Sequence, residues 1–211
     1  MRRATKTLAV CLGIVAGLAG LGHGYFEVLQ GNTRPAGLLF PSMGPPCDPA
    51  VMWNSCEPAM SILPNLRATG LLAILIGAAM IIWSAAFLHT RHGAVVLGLL
   101  SLALLLFGGG IFPPLIGLIS SVAASRINRP ICKQPGRMTR LAARLWPWPL
   151  VILLVWLLGQ FVVGYFLNDL LKNVMGLGLL LILTMLPLSL YAAYAHDAVQ
   201  GNRVLQAPPL S

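Results

Sequence analysis

Phe107-Gly108-Gly109-Gly110-Ile111-Phe112-Pro113-Pro114 lies at the midpoint of an apolar block that runs from His92 to about Ile127, some 36 residues. One membrane helix needs about 20 residues, so the block is too long for one crossing and barely long enough for two. Glycine closes helices and proline opens them, so the octet predicts a helix-turn-helix at the block's centre. Charge decides between the two topologies, because cytoplasmic flanks carry the excess of Lys and Arg. With a cytoplasmic N-terminus, a single crossing leaves five cations inside and nine outside. Flipping that arrangement moves the basic start, Met1 to Lys6, to the outside. A hairpin puts eleven cations inside and leaves only Arg34, Arg67 and Lys172 outside. The hairpin is the better reading, although a re-entrant loop dipping to the midplane satisfies the charges equally.

Four further apolar blocks flank this one. The expected fold is an all-α polytopic membrane helical bundle with about six membrane segments (7–28, 67–88, 92–108, 111–127, 149–171 and 174–195). Residues 1–211 form one integral membrane domain with both termini cytoplasmic. Composition agrees: 57% of the 211 residues are hydrophobic and 9% charged, against roughly 25% charged in soluble domains, and mean hydropathy is +0.83. The net charge of +9 would suggest nucleic acid in a soluble chain, but there is too little polar surface here. No nucleic-acid partner is expected; the lipid bilayer is the expected environment, with a membrane-protein partner or homo-oligomer as a further option. Disorder, collagen-like and disulfide-dense classes are excluded on composition. The first segment has no clean Ala-x-Ala site, and bulky Val10 before Cys11 argues against a lipoprotein signal. A membrane anchor is the expectation.

The extracytoplasmic loop, 29–66, shows no strand or helix period, and Ser61-Ile62-Leu63-Pro64 reads as an early turn of the second helix. The basic cytoplasmic segment, 125–148, carries Arg137, Arg140 and Arg144 at helical spacing among Leu141, Leu145 and Trp146. That pattern fits an interfacial helix on anionic headgroups. Cys47 and Cys56 share the outer loop and are spaced for a structural disulfide; a thiol redox pair or metal site is the alternative.

Chemistry concentrates on the first helix. Gly13, Gly17, Gly20, Gly24 and Gly31 fall on one narrow stripe, a face that lets membrane helices approach closely. Glu27 lies within about 50° of the stripe's centre at ~100° per residue, and His23 is one turn before it. A His and a Glu at i and i+4 can share a proton or a metal ion. Glu57 leads into the second helix and could supply a carboxylate close to Glu27; whether the three meet is left open by the sequence. Three readings stay open for His23, Glu27 and Glu57: helix-locking hydrogen bonds, a proton or ion site, or an acid–base enzyme. Catalytic residues are therefore unassigned. With one His there, the ligand count of a zinc site is not reached, so no metal is read, and no cofactor motif occurs. Elsewhere, His196-Asp197 reads as a solvated helix end. Asp169 and Lys172 read as an i, i+3 ion pair, and Gln160, Gly164 and Asn168 as a mild polar stripe on the fifth helix.

The run Gly20-Leu21-Gly22-His23-Gly24-Tyr25-Phe26-Glu27-Val28-Leu29-Gln30-Gly31-Asn32 resembles the opening of a group of uncharacterised multi-pass prokaryotic membrane proteins with a Gly-His-Gly-x-x-Glu-x-x-Gln-Gly-Asn pattern. Glu57-Pro58-Ala59-Met60 and Gly108-Gly109-Gly110 are similar to that group's Glu-Pro-Ala-Met segment and triple-glycine hairpin. The likeness covers about the first 130 residues. It implies a prokaryotic cell membrane and a shared helical scaffold, and brings no activity with it. The leading expectation is a non-enzymatic membrane protein, either an accessory subunit or a small transporter-like bundle. The alternative is an intramembrane enzyme using His23, Glu27 and Glu57 at the outer leaflet on a lipid-linked or peptide substrate.

Overall fold

The structure, a computed structural model, describes residues 1–43, 52–130 and 135–206, the last four of these without their side chains. Among them are seven helices and two short strands: α1 (Arg3–Leu29), β1 (Leu39–Pro41), β2 (Pro58–Met60), α2 (Leu66–Ala86), α3 (Gly93–Leu106), α4 (Phe112–Ala124), α5 (Arg137–Leu145), α6 (Trp148–Phe166) and α7 (Asn168–Gln206). Helices α1, α2, α6 and α7 are long and apolar enough to cross a membrane, and α3 and α4 are shorter apolar helices. The exterior is apolar where a soluble protein would be polar. Leu75, Ile82, Val122, Val155, Leu177 and Leu183 are each more than half exposed, and such a surface needs lipid or a partner to cover it.

Helix α1 packs against α2, α4, α6 and α7. Its glycines make the α1–α2 contact. A Cβ on Gly17 would stand 2.6 Å from the Gly77 carbonyl oxygen, and one on Gly24 would stand 2.6 Å from that of Gly70. These two pairs, seven residues apart on each antiparallel helix, bring backbone against backbone. The stripe is not uniform. Gly13 faces Ser84 of α2, whereas Gly20 faces Leu104 of α3. Gly31 leaves it altogether: it lies beyond the helix at φ +73°, its N–H donating to the Val28 carbonyl at 3.1 Å, a glycine C-terminal cap.

The opening octet makes the expected turn. Helix α3 stops at Leu106, Gly108 and Gly110 adopt φ +86° and +79°, and α4 starts at Phe112 with prolines in its first turn. Helix α4 runs antiparallel to α1. The Arg2 N–H donates to the Ile127 carbonyl at 2.9 Å, while Gly110 sits against the His23 ring. Below, the near end of the bundle is the one holding Arg2 and the far end the one holding Glu27.

Several boundaries differ from the sequence reading. The segments expected at 149–171 and 174–195 are Trp148–Phe166 and Asn168–Gln206. The turn falls at Leu167, whose φ of −135° and ψ of 55° break the helix with no glycine or proline to announce it. Asn168 thereby leaves the supposed polar stripe and begins α7, which runs through Pro187. Loop 29–66 does contain strands: β1 and β2 pair antiparallel, Phe40 opposite Ala59. Ser61 extends this ladder to Phe107 rather than starting a helix, and α2 begins at Leu66, capped by the Asn65 side chain, which accepts from the Ala68 N–H at 2.9 Å. Within 125–148 the helix covers only Arg137–Leu145.

Asp197 is no solvated terminus. It is 6% exposed and accepts from the N–H groups of Ala4 (3.0 Å) and Thr5 (2.8 Å) and from the Thr5 hydroxyl (2.7 Å). A carboxylate from α7 thus caps the first turn of α1, where free N–H groups and the helix dipole favour negative charge.

The glycine contacts predict a sharp contrast. Gly24→Ala should lower stability by about 1–3 kcal/mol, because its methyl meets a backbone oxygen that cannot swing away. Gly22→Ala, whose methyl would meet only the Met43 Cε at 3.5 Å, should be neutral or gain up to about 1 kcal/mol. Thermal unfolding in detergent separates the two.

Candidate functional site

The site is assembled from three pieces of chain. His23 and Glu27 stand one turn apart on α1, 2% and 0% exposed. The β1–β2 hairpin lies over them. Its register, Pro41 opposite Pro58, continues one step as the Ser42 N–H donates to the Glu57 carbonyl at 3.0 Å. Ser42 and Glu57 are therefore neighbours across the hairpin, and each meets one member of the α1 pair. The Ser42 hydroxyl donates to Glu27 Oε1 at 2.9 Å, and Glu57 Oε2 lies 3.4 Å from His23 Nε2. Gln30 fixes the hairpin by donating to the Ser42 carbonyl at 2.9 Å.

The triple-glycine turn closes the remaining side. Gly108 lies against Glu27 Oε2 and Gly110 against His23 Nε2, so closely that a Cβ at either position would collide with those atoms. Both also have positive φ, which disfavours any side chain. The turn is tied to the hairpin: the Gly108 N–H donates to the Met60 carbonyl at 2.8 Å and the Ile62 N–H to the Leu106 carbonyl at 3.1 Å. Beneath it, Ser61 and Thr69, both buried, share a hydroxyl–hydroxyl hydrogen bond of 2.8 Å.

His23 and Glu57 meet directly, and Glu27 is linked to them through Ser42. Only Glu57 reaches water, its side chain being 34% exposed. Glu27 Oε2 and His23 Nδ1 are buried with no hydrogen-bond partner among the described residues. Buried polar atoms nearly always have partners, and leaving one without costs about 1–3 kcal/mol. Two such atoms stand on adjacent turns of one helix, and Arg2 Nη1, Asn54 Oδ1 and Ser84 Oγ are in the same position elsewhere among the described residues. Among the described residues no group of three or more His, Cys, Asp or Glu is placed to hold a metal ion.

The other sequence candidates are separate. Asp169 and Lys172 form the expected ion pair at 2.9 Å. Cys56 is disulfide-bonded; Cys47, its expected partner, lies outside the described residues. Sequence reasoning missed Ser42, since only the strand register makes it Glu57's neighbour. It also read Gly108 and Gly110 as turn formers alone. His23, Gly24, Glu27, Gln30, Gly31, Glu57 and Gly108–Gly110 all lie at this end of the molecule. No protein-family model, curated protein or solved structure matches the chain.

Because Ser42 is the one hydrogen-bond donor to Glu27 among the described residues, Ser42→Ala should destabilise the protein by about 1–3 kcal/mol. Ser125→Ala, at an exposed helix end, should change it by less than about 0.5 kcal/mol. Unfolding midpoints of both variants in the same detergent check this.

Proposed function

We propose that the chain is a multi-pass protein of a prokaryotic cell membrane and a small transporter-like bundle whose far end carries a proton-handling site. Glu57 exchanges protons with water outside the cell, the His23 ring passes them inward, and Glu27 is the buried acceptor. The observation that carries this reading is the graded constellation itself. A half-buried carboxylate contacts a buried imidazole, and a fully buried carboxyl follows one turn on, with a spare polar atom on each buried member. An intramembrane ionisable group is expensive and is commonly functional. The resemblance of Gly20–Asn32 supports the cell-membrane location.

Six crossings with both termini cytoplasmic are part of the proposal. From Arg2 to His23, α1 advances by about 32 Å at ~1.5 Å per residue, close to the ~30 Å hydrocarbon thickness. The α3–α4 hairpin matches that whole distance, from Ile127 beside Arg2 to Gly110 beside His23. This supports two crossings rather than a dip to the midplane. A reporter that fluoresces only in the cytoplasm should light up when fused after Arg144. Alkaline phosphatase, active only outside, should work when fused after Arg34. The reverse pattern would refute the orientation.

An acid–base enzyme is the second reading, and the His23–Glu57 contact is what favours it, since a carboxylate that orients an imidazole prepares it as a base. The accessory-subunit version has less behind it, because lipid accounts for the exposed apolar faces of α6 and α7. In proteoliposomes the transporter reading predicts proton flux that Glu27→Gln abolishes while the unfolding midpoint holds. Equal flux in wild type and variant would sink it and leave the enzyme reading standing.

A further inference from the structure

At the near end, far from the His23–Glu27–Glu57 cluster, a cleft of about 250 Å³ opens between α5 and α7, lined by Arg140, Ala143, Arg144, His196, Val199 and Gln200. Arg140 and Arg144, both exposed, are one turn apart on α5 and line the same cleft. Like charges at this spacing repel, and among the described residues neither has an ion-pair partner. Among the described residues no carboxylate lines the cleft. Glu27 and Glu57 lie at the opposite end, Asp169 is paired with Lys172, and Asp197, next in sequence to His196, is occupied by Ala4 and Thr5. His196 is held at the cleft by its ring, Nδ1 lying 3.4 Å from the Ala143 carbonyl oxygen and the ring 6.4 Å from Trp146. Exposed Met138, Leu141, Leu145 and Trp148 beside the cleft are the side chains of a segment seated in the headgroup region.

We infer that this cleft binds a phosphoryl anion, held by the paired forks of Arg140 and Arg144, with the protonated His196 ring as the third donor through Nε2. Guanidinium forks match phosphate oxygens two bonds at a time, and the anion would relieve the repulsion the two arginines otherwise bear. Such a group can come from an anionic phospholipid headgroup or from free phosphate.

Native mass spectrometry of the full chain in detergent tests this with phosphatidylglycerol, phosphatidylcholine of the same acyl chains, and inorganic phosphate. The expected result is one phosphatidylglycerol retained per chain in preference to phosphatidylcholine. Affinity should fall at least about tenfold in Arg140→Gln/Arg144→Gln. Arg140→Lys/Arg144→Lys, which keeps the charge and loses the forks, should be intermediate, and Arg137→Gln, outside the cleft, unchanged. Displacement of the lipid by excess inorganic phosphate also supports the site and assigns it to the free anion. Equal retention of the two lipids without phosphate binding, or an Arg137→Gln loss as large as that of the double variant, would overturn the inference.

Discussion

Glu27 has no exposed surface and, among the described residues, no ion pair, and the far end of the bundle is arranged around accommodating it. A buried polar group without compensation is among the costlier things a fold can hold. The compensation here is one hydroxyl donor, Ser42, plus room made by glycines on two other elements. A Cβ on Gly70 would stand 2.9 Å from the Glu27 Cβ, and one on Gly108 would strike its carboxyl. Helix α2 can approach only because Gly24 and Gly70 lack side chains. The hairpin turn can close only because Gly108 and Gly110 tolerate positive φ. Backbone permissiveness, helix packing and the placement of one carboxyl are thus the same constraint seen from three sides.

The chain buries a second acid at the other end and treats it differently. Asp197 spreads three donors, two of them backbone N–H groups of α1, over both its oxygens. It is a fully satisfied structural group that joins the last helix to the first. Among the described residues Glu27 has one donor on Oε1 and none on Oε2. Burial is therefore not what singles out Glu27, since both acids are buried; incomplete satisfaction is. That difference is why the functional reading rests on Glu27 and not on Asp197.

Much of the scaffold was legible because it is written in local chemistry. Runs of apolar residues marked the helices, and Gly108–Pro114 marked the hairpin turn to within a residue or two. The glycine stripe and its Glu27 also pointed to a close helix contact. The missing parts depend on partners remote in sequence. Ser42 lies 15 residues from Glu27 and reaches it only through a three-residue ladder too short to show a period. Asp197 meets Thr5 across 192 residues, and read alone it looks like any polar helix end. The break at Leu167 lacks any breaker residue, so composition placed it five residues too late.

The cluster stops abruptly toward the middle of the bundle. One turn inward from His23, Gly20 receives Leu104 of α3, and beyond it Met80, Leu97 and Leu12 are fully buried. In the proton-relay reading a moving ion must pass these side chains, two of which, Leu97 and Leu104, belong to the hairpin, with buried Ser101 beside Met80. Leu104 also packs under Gly109, in the same turn whose neighbours touch Glu27 and His23. A change in either side chain is therefore felt first by the three glycines and next by Leu104. The hairpin carries the contacts to the site and two of these apolar side chains. Its helices, 14 and 13 residues, are shorter than the four that are long enough to cross a membrane. If the far-end site drives a conformational change, the α3–α4 hairpin is the element through which it would act.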